Sequence, residues 1–242
     1  MKTFYYDGTF EGFLSLIYYS YYQKITPCKI VKHHKNIALF DEVIKITTNL
    51  QHAQKVLNAL KKRFKKREYQ KIFYIFLCDS VEFEKSLYDF IVLGFKDQKN
   101  LSNINHPSIN HVESLMQEYM RSLCKMYGFV RFQELHDNIL YAKVDTKFNM
   151  LLSLGEHFLK RLDGCEFILH DIKRSLAFIS NSKEKIFQIA SFESPKLSKD
   201  EQKFQDLWRV FFKQVSIKER ENKKLQQNFV PLKYRKYMIE FI

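Results

Sequence analysis

Residues 167–189, FILHDIKRSLAFISNSKEKIFQI, contain three short apolar runs separated by polar links. The runs cover residues 167–171, 176–179 and 186–189, and they are rich in Ile, Leu and Phe. Apolar runs of this length, bounded by polar residues, are typical of β-strands. A parallel connection needs about a dozen residues or more, and these links are far shorter. The segment therefore predicts three consecutive antiparallel strands.

The residues before this segment extend the predicted sheet. Residues 129–132 and 139–144 are apolar and predict two further strands, joined by a turn at Asp137 and Asn138. Residues 149–161 have helical spacing between these strands and the later three. The resulting order, two strands, a helix and three strands, indicates an α+β fold.

Helical patterns dominate both sides of the predicted sheet. Thr9 is a suitable N-cap for an aromatic-rich, well-buried helix over residues 10–23, and Asn49 for a helix ending near residue 66. A strand at residues 43–47 lies between them. Further helical spacing covers residues 69–95, 108–127 and the tract from residue 200. We therefore expect a helical N-terminal half packed on a mainly antiparallel sheet, with a helical C-terminal tract.

The length of 242 residues suits one domain over residues 1–242. That domain has a natural subdivision into a mainly helical part, residues 1–127, and a sheet-containing part, residues 128–242.

The chain is strongly basic, with 40 Lys and Arg against 27 Asp and Glu and a formal net charge of +13. A charge of this size attracts polyanions, which makes DNA, RNA and an anionic membrane surface the candidate partners. Compositional drift in an AT-rich genome is an alternative explanation, because it enriches Lys together with Asn, Ile, Phe and Tyr.

The spacing of the cysteines and the length of the apolar runs bear on whether the chain binds a metal or crosses a membrane. Cys28, Cys78, Cys124 and Cys165 are far apart, and zinc and iron–sulfur sites use closely spaced cysteines. We therefore expect no metal and no cofactor. No apolar run is long enough for a signal segment or a membrane span, which predicts a cytoplasmic protein without a membrane partner.

Four stretches resemble a family associated with DNA metabolism and DNA repair that is built on a domain of unknown function. They occur in the family's order over almost the full chain: YDGTFEGF at residues 6–13; GFVRFQEL at 128–135, followed by Tyr141 and Ala142; HFLKR at 157–161 with ILHDIKR at 168–174; and LWR at 207–209 with Phe212, REN at 220–222 and PLKYR at 231–235. The chain has Tyr234-Arg235 where the family pattern has Tyr-Trp.

The resemblance implies an association with DNA repair but no particular reaction. Members are encoded beside a radical-SAM protein of DNA repair, and some are fused to a uracil-DNA-glycosylase-like domain. A radical-SAM protein is therefore the protein partner that the resemblance implies.

The richest group of chemically active residues lies between residues 157 and 174. Its members are His157, Arg161, His170, Asp171 and Arg174. One interpretation is a pocket for phosphate, in which His157, His170 and Asp171 are the candidate catalytic residues. The other is a polar network that closes one end of the sheet. Residue types and spacing leave both open.

Other basic and aromatic residues are candidates for nucleic-acid binding. Cations can follow a phosphate backbone, and aromatic rings can stack on exposed bases. Trp208 and Phe212 are one helical turn apart, and we expect them in the core. The candidates for nucleic-acid contact are Arg131, Arg161, Arg174, Arg209, Arg220, Asn222, Tyr234 and Arg235.

Three hypotheses about function follow. The first is a nucleic-acid-binding accessory that presents single-stranded or damaged DNA to the radical-SAM enzyme. The second is a DNA-processing enzyme of glycosylase-like type that uses Asp7, Glu11, His157 or Asp171, although Asp7 and Glu11 also suit a turn and a helix start. The third is an RNA-binding or scaffold protein.

Overall fold

A computed structural model describes residues 2–32, 42–79, 81–136, 138–181, 185–189 and 197–242. The chain divides into two units, Met1–Met120 and Arg121–Ile242. Both combine helices with one small sheet, so the fold is mixed α and β. None of the described helices is both long and apolar enough to cross a membrane.

The first unit is built on a three-stranded sheet in the order β2-β1-β3, with both outer strands parallel to β1. The elements are β1 Lys2–Tyr5, α1 Phe10–Gln23, β2 Lys29–Val31, β3 Glu42–Lys45, α2 Leu50–Arg63, α3 Lys66–Phe76, α4 Glu84–Lys96, a 3-10 helix Gln98–Ser102 and α5 Pro107–Phe129, which continues beyond residue 120. The expectation of a mainly antiparallel sheet is therefore met only in part, because the sheet of this unit is parallel throughout.

Side-chain caps explain where α1 and α2 begin. The Thr9 hydroxyl accepts a hydrogen bond from the Gly12 amide at 2.9 Å, and the Asn49 side chain accepts one from His52 at 3.0 Å. Both caps satisfy amides that have no partner inside the helix. The predicted start of each helix is therefore confirmed. The inner face of α1 packs into a core that includes Phe4, Phe13, Leu16, Leu60 and Phe90.

The second unit holds a five-stranded sheet in the order β4-β5-β6-β7-β8. Its elements are β4 Gln133–Glu134, β5 Leu140–Val144, α6 Leu151–Arg161, β6 Phe167–Asp171, β7 Leu176–Ser180, β8 Lys185–Ile189, α7 Glu201–Gln214, α8 Lys223–Phe229 and α9 Leu232–Arg235, with 3-10 helices at Lys218–Arg220 and Ile239–Phe241. The predicted strands β6, β7 and β8 pair antiparallel, as expected.

The β5–β6 pair is parallel, because α6 forms the crossover between these strands. Gly155 lets α6 approach the sheet closely, since a Cβ at this position would lie 2.5 Å from the Phe178 ring.

Two predicted elements differ from the structure. Residues 129–132 do not form a strand, because α5 continues to Phe129 and β4 begins only at Gln133. The helical stretch over residues 69–95 is two helices, α3 and α4. At the predicted turn, Asn138 has a left-handed φ of 59°, and Asp137 lies outside the described residues.

Candidate functional site

A cleft of about 680 Å³ in the second unit brings together two of the predicted arginines, Arg131 and Arg161. It lies among the C-terminal end of α5, α6, α7 and the final 3-10 helix. The lining residues are Tyr127, Gly128, Val130, Arg131, Phe132, Phe158, Arg161, Leu162, Glu201, Phe204, Gln205, Trp208 and Ile239. The cleft therefore combines aromatic rings with cationic and polar groups.

Arg161 is the cleft cation most available to a ligand. It occupies the last turn of α6 and is exposed to solvent. Within the described residues, its guanidinium forms no hydrogen bond or ion pair. An arginine in this state can bind a phosphate through two parallel hydrogen bonds without first losing a protein partner.

Arg131, in contrast, is held by the protein. Its Nη2 donates to Glu240 Oε1 at 2.6 Å, and its Nη1 donates to the carbonyl of Gly128, also at 2.6 Å. Burial of Glu240 acts to raise the pKa of its carboxyl. The hydrogen bonds and the charge of Arg131, a backbone hydrogen bond and the hydrogen bond from Trp208 together outweigh burial and hold that pKa below its ordinary value. Arg131 therefore shapes the cleft more than it offers a free cation.

Two aromatic side chains on one face of α7 are open to solvent at the cleft. Phe204 is 58% exposed and Trp208 is 40% exposed, and they are one helical turn apart. Trp208 Nε1 donates to Glu240 Oε2 at 3.3 Å, which orients the indole. The exposure of Trp208 differs from the expected core position, whereas Phe212 is partly buried and packs 5.7 Å from Phe241.

His157 lies beside this cleft, stacked on the lining residue Tyr127 with ring centroids 3.9 Å apart. Its Nε2 is buried and has no hydrogen-bond partner within the described part of the chain. Burial lowers the pKa of His157, and the charges of Arg161 and Lys160 lower it further. The imidazole is therefore neutral near pH 7 and adds no charge at the cleft.

Asp171 and Arg174 form a buried structural pair. Arg174 Nη1 donates to Asp171 Oδ2 at 2.8 Å, and the same guanidinium donates to the carbonyls of Thr146 and Lys147 at 3.2 and 2.9 Å. Asp171 is fully buried, and burial raises its pKa even though Arg174 acts to lower it. These bonds join the β6–β7 turn to the segment between β5 and α6.

His170 is also held inside the second unit. It is 6% exposed, and its Nδ1 lies 2.9 Å from the Tyr141 hydroxyl. Of the five residues grouped between 157 and 174, only Arg161 lines the cleft among the described residues. The geometry thus favours a polar network for His170, Asp171 and Arg174.

The remaining C-terminal candidates have mixed surroundings. Arg209 pairs with Asp206 at 2.8 Å, and Asn222 caps α8 by accepting from the Leu225 amide at 2.9 Å. Tyr234 lies 5.2 Å from the Phe129 ring, and Arg235 lies over Phe241 at 4.3 Å. Arg220 is exposed in the 3-10 turn.

The two acidic candidates of the first unit have ordinary local roles. Asp7 accepts hydrogen bonds from the Thr9 amide at 2.9 Å, the Thr9 hydroxyl at 2.7 Å and the Thr48 hydroxyl at 2.5 Å. Burial acts to raise the pKa of Asp7, but these bonds outweigh it and lower that pKa. Glu11 is exposed in the first turn of α1, where an acid suits the helix dipole.

Sequence reasoning missed the aromatic wall of the cleft. Phe204 and Trp208 recur at helical spacing, which is typical of a core-facing stripe, and periodicity cannot show whether another element covers that stripe. No group of three or more His, Cys, Asp or Glu residues suited to a metal occurs among the described residues.

No curated protein matches the chain. A family model described as a domain of unknown function, DUF4130, matches residues 81–240, which include every residue that lines the cleft. The match covers about two thirds of the 242 residues, and the chain belongs to the DUF4130 family.

Proposed function

We propose that this chain is a nucleic-acid-binding protein of DNA repair or DNA metabolism, and that the cleft of the second unit holds an unstacked base with its phosphate. The observation that carries the proposal is that Arg161, which has no hydrogen-bond or ion-pair partner within the described residues, lines the same cleft as the exposed rings of Phe204 and Trp208. Arginine recognises phosphate, and aromatic rings stack on bases of any sequence.

Size and charge support the same ligand. The cleft volume of about 680 Å³ lies within the usual range for small-ligand sites, roughly 300–1,000 Å³. The chain's net charge of +13 attracts a polyanion. A base inside a duplex keeps its faces stacked on its neighbours, so single-stranded or locally opened DNA is the form that fits.

The proposed protein partner is a radical-SAM enzyme of DNA repair. The cysteines at positions 28, 78, 124 and 165 are too widely spaced for a cluster motif, so radical chemistry would have to come from a second chain. In this role the chain presents DNA, and the partner performs the reaction. When the chain is co-expressed with a radical-SAM protein encoded beside it, the two proteins should purify together. Failure of the two proteins to associate, with or without DNA, would contradict the accessory role.

Trp208 gives a direct test of the cleft because it is the single tryptophan of the chain. Titration with an unlabelled single-stranded oligonucleotide of about 16 nucleotides should quench its fluorescence as a base stacks on the indole. Trp208→Leu should weaken binding by the worth of one stacked base, about 1–3 kcal/mol. The neighbouring Leu207, 64% exposed and outside the cleft lining, supplies the control Leu207→Ala.

Arg161→Gln tests the phosphate contact, with Lys160→Gln as its matched control. Both residues are exposed in the last turn of α6, but only Arg161 lines the cleft. Loss of one phosphate contact should reduce the slope of log affinity against log salt by about 0.7 for a single strand. Equal effects of the two variants would show that general charge, and not the cleft, governs binding.

A further inference from the structure

The outer faces of α1 and α2 in the first unit carry a ladder of aromatic rings. Tyr18 lies 3.9 Å from His52 with the rings within 11° of parallel, and Tyr22 lies 4.3 Å from Tyr18. Tyr21 packs edge-on against Tyr22 at 5.3 Å. Tyr21 and Tyr22 are 77% and 61% exposed, so the ladder ends in ring surface that faces solvent.

A row of cations follows the same helix face. Lys55 Nζ lies 5.7 Å from the Tyr18 ring, and Lys62 is exposed two turns further along α2. At about 100° per residue, positions 52, 55 and 62 fall within about 80° of one another around the helix. The aromatic ladder and the cations therefore share one side of α2.

The segment that contains these cations has basic residues and no acidic ones. Residues 43–67 include eight Lys or Arg and no Asp or Glu. Six of the seven residues from 61 to 67 are basic, and all six are exposed around the buried Phe64. None of the six forms an ion pair within the described residues. The first acid after them, Glu68, is paired with Lys71 at 2.9 Å.

The helix dipole does not account for this basic ridge, residues 61–67. Cations at the end of α2 suit its negative C-terminal end, which would explain Lys61, Lys62 and Arg63. Lys66 and Arg67, however, stand in the first turn of α3, where the positive end of the dipole disfavours them. The cations of the ridge therefore repel one another and the positive end of the α3 dipole. A bound polyanion would reduce that repulsion.

We propose that the ladder and the basic ridge together bind single-stranded DNA. Bases stack on the exposed rings of Tyr21 and Tyr22. The phosphates follow Lys55 and the ridge, of which Lys62 is part. Single strands fit better than duplex because the paired bases of a duplex cannot reach an aromatic ring. This surface belongs to the first unit and lies outside residues 81–240, so it is a second site that does not depend on the cleft.

The test measures binding of a single-stranded DNA oligonucleotide by the full chain. Tyr22→Leu should weaken binding about five-fold or more, the effect of losing one stacked base, whereas Tyr22→Phe should retain it. Lys55→Gln with Lys62→Gln should flatten the salt dependence by about 1.4, at about 0.7 for each contact. Lys125→Gln with Lys173→Gln removes two exposed charges of the second unit, neither of which lines the cleft, and should leave that slope closer to wild type.

Each variant is measured in the wild-type chain and with Arg161→Gln, so that the two sites are separated. If Tyr22→Leu changes neither the affinity of the wild-type chain nor that of the Arg161→Gln chain, and the melting temperature is unchanged, the ladder proposal is overturned and the cleft is untouched. If the cleft variants bind DNA as tightly as wild type while Tyr22→Leu binds much more weakly, only the proposal for the cleft is contradicted. Tighter binding of RNA of the same sequence, or of duplex DNA, would overturn the assignment to single-stranded DNA.

Discussion

Replacing Arg174 with Ala should destabilise the second unit and leave DNA binding nearly unchanged. The guanidinium spans Asp171 and the carbonyls of Thr146 and Lys147, and its side chain is only 10% exposed. Without it, the fully buried Asp171 carboxylate loses its cation. Breaking a buried pair in this way costs about 3–5 kcal/mol. At about 2–4 °C per kcal/mol for a chain of this size, the melting temperature should fall by roughly 6–20 °C.

The pH dependence of this loss has a defined sign. The folded-state pKa of Asp171 lies above its ordinary value because burial outweighs the stabilising effect of Arg174. A buried carboxyl with a raised pKa costs stability when it is ionised, and protonation relieves that cost as pH falls through the folded-state pKa. In the Arg174→Ala variant the ionised form lacks its partner, so the stability deficit should shrink on acidification.

Thermal melting from pH 7 into the acid range, together with DNA titration at pH 7, decides the case. Arg161→Ala is the matched control, because Arg161 is an exposed arginine and an exposed substitution usually changes stability by about 0.5 kcal/mol or less. The expected pattern is reciprocal, with Arg161→Ala affecting DNA binding and Arg174→Ala affecting stability. An Arg174→Ala variant that melts like wild type but has lost DNA affinity would refute the structural role.

Two further predictions concern stability. Gly155→Ala should destabilise the chain, since its Cβ would lie 2.5 Å from the buried Phe178 ring, and overpacking of a core costs about 1–3 kcal/mol. A Cβ at Gly128 would meet no atom of the described residues within 4 Å, so Gly128→Ala should melt at or above the wild-type temperature. The reverse order of the two melting temperatures would contradict the packing argument. Glu240→Gln should remove a stabilising contribution that the wild type retains above the ordinary Glu pKa and loses as pH falls through the lowered folded-state pKa. Its melting curve should therefore converge with wild type in acid, and a constant difference at every pH would contradict the ion pair with Arg131.

Local signals were sufficient to predict several elements. The helix expected over residues 10–23 is α1, Phe10–Gln23, and Thr9 caps it. Asn49 likewise caps α2. Capping depends on side chains within three residues of the helix start, so a short stretch of sequence contains the information.

Pairings between residues that are far apart in the sequence were harder to predict. Strand β2, Lys29–Val31, has three residues, too few to show a period, and its pairing with β1 joins segments separated by α1. Residues 129–132 have strand-forming side chains, yet α5 continues to Phe129. Strand propensity depends on neighbouring surfaces, so it is a weak guide beside a long helix.

Sequence periodicity also failed to predict which aromatic residues of the candidate sites are exposed. Helical spacing placed Trp208 in the core, and the aromatic content of α1 predicted a well-buried helix, but Trp208, Tyr21 and Tyr22 are 40%, 77% and 61% exposed. Periodicity identifies an apolar or aromatic face, whereas exposure depends on whether another part of the chain covers it. Clustered exposed rings are candidates for binding surfaces, and disagreements of this kind concentrate at functional sites. Both groups of exposed rings lie beside cations that form no ion pair within the described residues, a combination that suits the proposed binding of single-stranded nucleic acid.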